Sequence, residues 1–170
     1  MTNTPSTQNL IAEDTARMQA EDFIQRIAPI AQEMQKQNGI LPSIILAQAA
    51  LESDFGNSLL ASKYHNLFGV KAFGHSQSVN LDTKEFIDGQ WITYSGEFRV
   101  YNSWRESIEA HSALMENGVT WNAQLYHGVI NARNYVEAAN ALQDAGYATD
   151  PTYAQKLIQM IEQHNLTRFD

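Results

Sequence analysis

Residues 42–52 read Pro-Ser-Ile-Ile-Leu-Ala-Gln-Ala-Ala-Leu-Glu, and this stretch decides the fold. Proline at its start suits the first turn of a helix, where its missing N–H has no partner to lose. Ile44, Ile45, Ala47, Gln48, Ala49, Ala50 and Leu51 leave the segment nearly apolar all round. A helix of that kind is buried on most sides, so other elements have to pack around it. Its one ionisable residue, Glu52, stands at the far end, and Gly56-Asn57 breaks the pattern beyond it.

Before this helix, Phe23, Ile27, Ile30, Ala31 and Met34 follow helical spacing from about Glu21 to Asn38. Gly39 is placed to stop that helix, and Pro29 inside it predicts a kink or a break. Residues 1–17 are polar and weakly patterned. They are expected to form a flexible leader, with at most a short helix near Leu10, ahead of a single domain over 18–170.

After it, a short helix is expected around Leu59 to Lys63. From Val79 to Tyr101 the chain changes character, with β-branched and aromatic residues dominating. Asp88-Gly89 is a strong two-residue hairpin signal. It pairs Ile87 with Gln90, Phe86 with Trp91 and Glu85 with Ile92. Ser95-Gly96 suggests a bulge or a second turn. Ser103-Trp104-Arg105-Glu106 is a capping box opening a helix through Ile108, His111, Leu114 and Met115. Asn131 is read as the cap of a helix over 132–145 that Gly146 ends. Asp150-Pro151 is read as cap and first residue of the last helix, whose apolar stripe is Tyr153, Leu157, Ile158 and Ile161. The expected class is α+β, mainly α: a helical body with one β-hairpin lobe inserted at about 78–101.

Composition narrows the function classes. With 44% hydrophobic and 18% charged residues, the chain is neither disordered nor low-complexity. Its 170 residues suit one domain with a real core. The balance of 11 Lys+Arg against 19 Asp+Glu, with no basic cluster, argues against nucleic acid and against anionic lipid. No run approaches a membrane span. The absence of cysteine excludes disulfides, zinc–thiolate sites and Cys nucleophiles. The five histidines include no i, i+4 pair and no H-E-x-x-H, and Gly-rich phosphate loops and G-x-S-x-G are absent. Met1 to Gln8 lacks the apolar region of a signal peptide, so a module of a longer chain or a phage-delivered protein is expected.

Glu52 is the most informative chemical group. Burial and the negative end of the helix dipole both disfavour its charge and raise its pKa, as a general acid near neutral pH requires. A solvated glutamate at a frayed helix end has the same pattern, so both readings stay open at this point. Glu85, three residues before the hairpin turn, can supply the second carboxylate that glycosidic hydrolysis commonly uses. Asp82, Asp88 and Glu97 lie nearby, so spacing alone does not single it out. Seven Phe, seven Tyr and three Trp can line a cleft as well as fill a core. Tyr147 stands between a helix stop and a cap, a loop position suited to meeting a ligand.

The run Ala47-Gln48-Ala49-Ala50-Leu51-Glu52-Ser53-Asp54-Phe55-Gly56-Asn57-Ser58 resembles the acid-bearing motif of the bacterial glucosaminidases of glycoside hydrolase family 73. Tyr64-His65-Asn66-Leu67-Phe68-Gly69-Val70-Lys71 resembles that family's next block, and Thr83-Lys84-Glu85-Phe86 falls where the second carboxylate rides a hairpin. Phe98-Arg99-Val100-Tyr101 through Trp104, and Gly146-Tyr147-Ala148-Thr149-Asp150-Pro151 with Tyr153-Ala154, are similar to its later blocks. The resemblance spans roughly residues 20–165. It implies a lysozyme-like fold with a cleft between body and β-lobe, and cleavage of peptidoglycan after N-acetylglucosamine without metal or cofactor.

Carried residue by residue, the resemblance implies Glu52 as general acid, Glu85 as base or charge stabiliser, and Tyr147 near the reacting sugar. Phe68, Asn66, Tyr64, Tyr94 and Asp150 are the substrate-binding positions it implies. Hydrolysis would be inverting or assisted by the sugar's own acetamido group. The implied partner is the peptidoglycan glycan strand, met by a monomer that is secreted or wall-located. A muramidase or lytic transglycosylase shares the helix-ending Glu-Ser but typically continues differently from Asn66-Leu67-Phe68-Gly69-Val70-Lys71. A non-catalytic glycan-binding domain is the other alternative, against which the joint presence of Glu52, Glu85 and Tyr147 argues.

Overall fold

The computed structural model describes residues 7–170. Residues 1–6 of the expected leader lie outside the described residues. From Thr7 the backbone is one helix, α1 (Thr7–Asn38), rather than a helix opening near Glu21. It also runs through Pro29 without a break. Phe23, Ile24, Ile27 and Ala28 on one side of the proline and Ala31 and Met34 on the other are all buried. The same core therefore holds both halves and outweighs the missing hydrogen bond.

α2 (Pro42–Ser53) is the central element and packs against α1 and, later in the chain, α6 (Tyr135–Asp144), α7 (Tyr153–Gln163) and a terminal 3₁₀ turn (Leu166–Phe169). Every residue from Pro42 to Ala50 is buried, as the all-round apolar pattern requires. Its N-terminus lacks a local side-chain cap. The Asp170 carboxylate supplies one from the other end of the chain, accepting from Ser43 N and Ser43 Oγ, each at 2.7 Å. The helix ends abruptly. Asp54, Phe55 and Gly56 all take left-handed backbone angles, at φ 50, 53 and 80°. Ser53 Oγ accepts from Gly56 N at 2.8 Å and donates to Ala49 O at 2.5 Å, closing the turn. A Cβ on Gly56 would come within 2.9 Å of Phe23 and Trp104, so glycine is needed there for space as well as for φ.

α3 (Leu59–Ser62) follows, and then the hairpin of β1 (Ser78–Ile87) and β2 (Gln90–Arg99). The register is the one expected from Asp88-Gly89, pairing Ile87 with Gln90, Phe86 with Trp91 and Glu85 with Ile92. The bulge expected at Ser95-Gly96 does not form, and pairing continues evenly to Ser78–Arg99. Gly96 serves packing instead: a Cβ there would lie 2.8 Å from the Tyr94 ring, which covers it. The hairpin base joins the body through Ala72 N to Glu97 O and Arg99 N to Val70 O, both 2.9 Å.

α4 (Trp104–Asn117) starts as expected, with Ser103 Oγ accepting from Glu106 N. After α5 (His127–Ile130), the cap of α6 is Asn134 rather than Asn131. Asn134 Oδ1 accepts from Glu137 N at 2.9 Å, and Glu137 reaches back to Arg133 N, a local arrangement that Asn131 has no partner to make. α7 begins at Tyr153, after a turn through Pro151 and Thr152. The class is α+β, mainly α: a helical body carrying a two-stranded antiparallel lobe.

Candidate active site

The end of α2 presents Glu52 beside α7. Its outer side is open to solvent, while protein atoms crowd the rest of the carboxyl. That crowding pushes its pKa from 4.5 up to about 7. A hydrogen bond with Tyr153 and the charge of Lys156 pull the other way, and the charge of Asp150 adds to the rise. Gly69 faces the same carboxyl: a Cβ there would sit 3.9 Å from Glu52 Oε2.

Behind the acid is a set of aromatic rings. Tyr147, in the loop after α6, stacks on Tyr153 at 5.6 Å between centroids and meets Tyr126 and His111 edge-on at 6.1 Å each. Its phenol is held well above its ordinary pKa, first by burial and then by the neighbouring charge of Glu52. Tyr153 is buried and shifted the same way for the same leading reason. His111 lies flat against Phe68 at 4.2 Å. Burial pushes His111 down to about 3, so the ring is neutral.

The expected site residues divide into two groups. Glu52, Tyr147 and Asp150 come together. Asp150 Oδ1 accepts from Thr152 N and Thr152 Oγ1, both at 2.8 Å, and Oδ2 pairs with Lys156 Nζ at 2.5 Å. Burial works against the charge of Asp150, but those hydrogen bonds prevail and hold its pKa below the ordinary value. Asn66 and Phe68 belong instead to the interior. Asn66 is 1% exposed, donates to Val70 O and Arg99 O, and accepts from Val70 N. These bonds tie the 66–70 turn to the end of β2 and commit both halves of its amide to backbone. Phe68 is 4% exposed, so it backs His111 rather than offering a face to a sugar.

Glu85, Tyr94 and Tyr64 lie towards the hairpin. Strand alternation settles which hairpin carboxylate faces the body. Leu81, Thr83 and Glu85 are half-buried, whereas Asp82, Asp88 and Glu97 are exposed. Glu85 pairs with Lys71 Nζ at 3.0 Å, and that ammonium also lies 4.9 Å over the Tyr94 ring. The charges acting on Glu52 are those of Lys156 and Asp150, and Glu85 is not among them. Tyr64 is half-buried, with Lys63 over its ring and its carbonyl accepting from Tyr101 N. At the hairpin tip, Trp91 covers Lys156 Nζ at 5.2 Å, so the β-lobe reaches across to α7.

This arrangement of acid, aromatic backing and hairpin can be set against known proteins. The family described as mannosyl-glycoprotein endo-beta-N-acetylglucosaminidase matches residues 28–166. The chain belongs to this glucosaminidase family. Exo-glucosaminidase LytG of Bacillus subtilis is 44% identical over 148 residues, 87% of this chain and 52% of LytG. A probable N-acetylmuramidase of Lactococcus lactis subsp. cremoris is 37% identical over 174 residues, 97% of this chain and 40% of the relative. The chain thus spans about half or less of the curated relatives it matches. The crystal structure of the catalytic domain of the autolysin Auto from Listeria monocytogenes superposes with a TM-score of 0.79 at 34% identity, covering 99% of this chain and all of that one.

Sequence reasoning missed several groups that this glucosaminidase chain gathers at Glu52. Tyr153 looked like one more apolar stripe residue, although its hydroxyl gave it a polar handle. Gln48 was one polar residue in an apolar helix, one turn ahead of Glu52. Lys156 follows Tyr153 by three, which places the two side by side on α7. Two hollows of about 560 and 590 Å³ are lined by other residues, among them Arg26 and Trp104 in one and Lys36 and His127 in the other. Neither hollow is lined by Glu52, Tyr147, Tyr153 or Asp150. Among the described residues, no group of three or more His, Asp or Glu could hold a metal, and no helix is long and apolar enough to cross a membrane.

Proposed function

We propose that this chain hydrolyses the β-1,4 bond that follows N-acetylglucosamine in peptidoglycan, with Glu52 as general acid. The observation that carries this reading is a carboxyl brought to about 7 at the open end of a buried helix. Such a group is about half protonated at neutral pH, far more than an ordinary glutamate, and can donate to a departing sugar oxygen. Glucosaminidase and autolysin activities in the names of the relatives support the substrate class. The wall polymer as substrate makes the enzyme extracellular or wall-located.

The geometry around Glu52 favours assistance by the sugar's 2-acetamido group over a protein base. Glu85 is held by Lys71, whereas Tyr147 shares the field of Glu52. In this reading the acetamido oxygen attacks the anomeric carbon as Glu52 protonates the leaving oxygen. Water then opens the cyclic intermediate at the anomeric carbon, giving a proton back to the Glu52 carboxylate, and Tyr147 lines the reacting sugar. An attached nucleophile brings the high effective molarity of an intramolecular group. Glu85 and Tyr94, on the hairpin, would meet the strand as it lies in the cleft.

The test is digestion of purified cell walls, borohydride reduction and mass spectrometry of the products. Glucosaminitol ends are expected from the wild type and not from Glu52→Gln. Muraminitol would assign a muramidase, the activity in the Lactococcus relative's name, and 1,6-anhydromuramic ends a transglycosylase. No release of fragments would leave only glycan binding.

A further inference from the structure

Gln48 lies one helical turn before Glu52 on α2, at i and i+4, so the two side chains share a face of that helix. Its side chain is completely buried. Nε2 donates to Tyr153 Oη at 3.0 Å. Oε1 is buried and has no hydrogen-bond partner among the described residues. A leucine would fill this position without leaving an acceptor unpaired, so a buried amide here is costly unless its donor half serves a purpose.

That purpose follows from proton counting. A phenol oxygen carries one proton and can accept while it donates. Gln48 Nε2 has only protons to offer, so Tyr153 Oη must accept from it. The phenol's own proton is thereby left for its other neighbour, the carboxyl of Glu52. The stack of Tyr153 on Tyr147 at 5.6 Å fixes the ring that carries the hydroxyl. We propose that Gln48 is a positioning residue of this enzyme: it holds the Tyr153 hydroxyl as a donor aimed at Glu52 and thereby sets where the acid titrates.

This inference rests on Glu52 being the acid, but its sign can be read without turnover. A bond donated by Tyr153 favours the ionised carboxylate. The bond from Gln48 polarises the phenol and strengthens its donation. The other groups acting on Glu52 are Lys156 and Asp150, paired with each other on the α7 side; on α2 itself, Glu52 is the one ionisable residue. Among the described residues, Gln48's side chain hydrogen-bonds to Tyr153 and not to Lys156 or Asp150.

The experiment is a carboxyl titration by ¹³C NMR, with glutamate labelled and Glu52 assigned through Glu52→Gln. It is run on the wild type, Gln48→Leu, Tyr153→Phe and the double variant. Gln48→Met serves as a second, unbranched replacement if leucine does not fold. Removing Tyr153's bond should move the Glu52 midpoint up by about 1 pH unit, the scale of a hydrogen bond to a charged group. Gln48→Leu should move it up by about 0.1–0.3 unit, the 10–30% share of that bond that cooperativity contributes. The double variant should coincide with Tyr153→Phe, because Gln48 acts only through that hydroxyl. The basic limb of kcat/KM on cell walls should follow the same order.

A Gln48→Leu midpoint that overlays the wild type would overturn the proposal. So would an unchanged midpoint in Tyr153→Phe, or a double variant that adds the two shifts. A merely structural Gln48 would lower the melting temperature and leave the midpoint in place. If the titrations behave as expected but Glu52→Gln retains full activity, the catalytic reading fails while the coupling stands.

Discussion

Replacing Glu52 with glutamine should remove activity and at the same time stabilise the fold, by an amount that depends on pH. A glutamate titrates near 4.5 when unperturbed, and in the folded chain Glu52 is pushed up to about 7. Between these values the folded state holds a proton that the unfolded state has released. Stability therefore falls as pH rises through this window. The penalty is absent below about 4.5, grows from there to 7, and is complete above 7. For a fully dry carboxyl the shift would correspond to at most about 3.4 kcal/mol. The outer side of Glu52 is open to solvent, so screening reduces the working figure to about 1–2 kcal/mol. In a domain of this size that is a rise of about 2–8 °C in melting temperature. The glutamine oxygen still accepts from Tyr153, so no buried donor is orphaned. Thermal melts of both proteins at pH 4.5, 6, 7 and 8 measure the effect. The gap between them should open from pH 4.5 to 7 and then stay constant, while cell-wall hydrolysis drops about 10²–10⁴-fold. A gap that ignores pH, or a Glu52→Gln variant that loses ground as pH rises, refutes the reasoning.

Two further outcomes follow from the same geometry. Asn66→Ala should lower stability by about 2–4 kcal/mol, because it leaves Val70 N and Arg99 O without their partner and takes from Val70 O one of its two bonds, the other being from Arg99 N. An unchanged melting temperature with a raised KM would return Asn66 to the substrate-binding set. NMR of freshly formed products should show retained anomeric configuration, with Glu85→Gln keeping measurable activity and Tyr147→Phe losing more. Inverted product from the wild type would make Glu85 the base.

What was legible in the sequence was whatever the chain decides locally. α2 could be read because the run from Ile44 to Leu51 is nearly apolar all round. The hairpin register could be read because Asp88-Gly89 permits one two-residue turn and every later pair follows from it. Ser103 could be read because its capping partner is three residues away. Where two local solutions compete, the nearer reading failed: Asn131 and Asn134 both look like caps, and only Asn134 has Glu137 at the right distance. Pro29 failed for a different reason, since the core beneath α1 outweighs a local preference. The partners of Glu52 were hidden altogether. Tyr153 and Lys156 reach it only because α7 docks on α2, a contact across about a hundred residues of chain that no local pattern encodes.

That docking explains why the acid titrates at a useful value. Everything that α2 does to Glu52 pushes its pKa upward: the helix is buried, and its negative dipole end faces the carboxyl. Left to α2 alone, the group would hold its proton beyond neutral pH and donate it less readily. The opposing groups come from α7, which brings the Tyr153 hydroxyl and the Lys156 ammonium to the same carboxyl. Asp150 then moderates Lys156 by pairing with it at 2.5 Å. The value near 7 is thus a balance between two helices rather than a property of one residue in one motif. Lys156 is also the group that Trp91 of the hairpin tip covers, so the β-lobe and the acid meet through one side chain. At that junction the charge of Lys156, which also pairs with Asp150, favours the ionised form of Glu52.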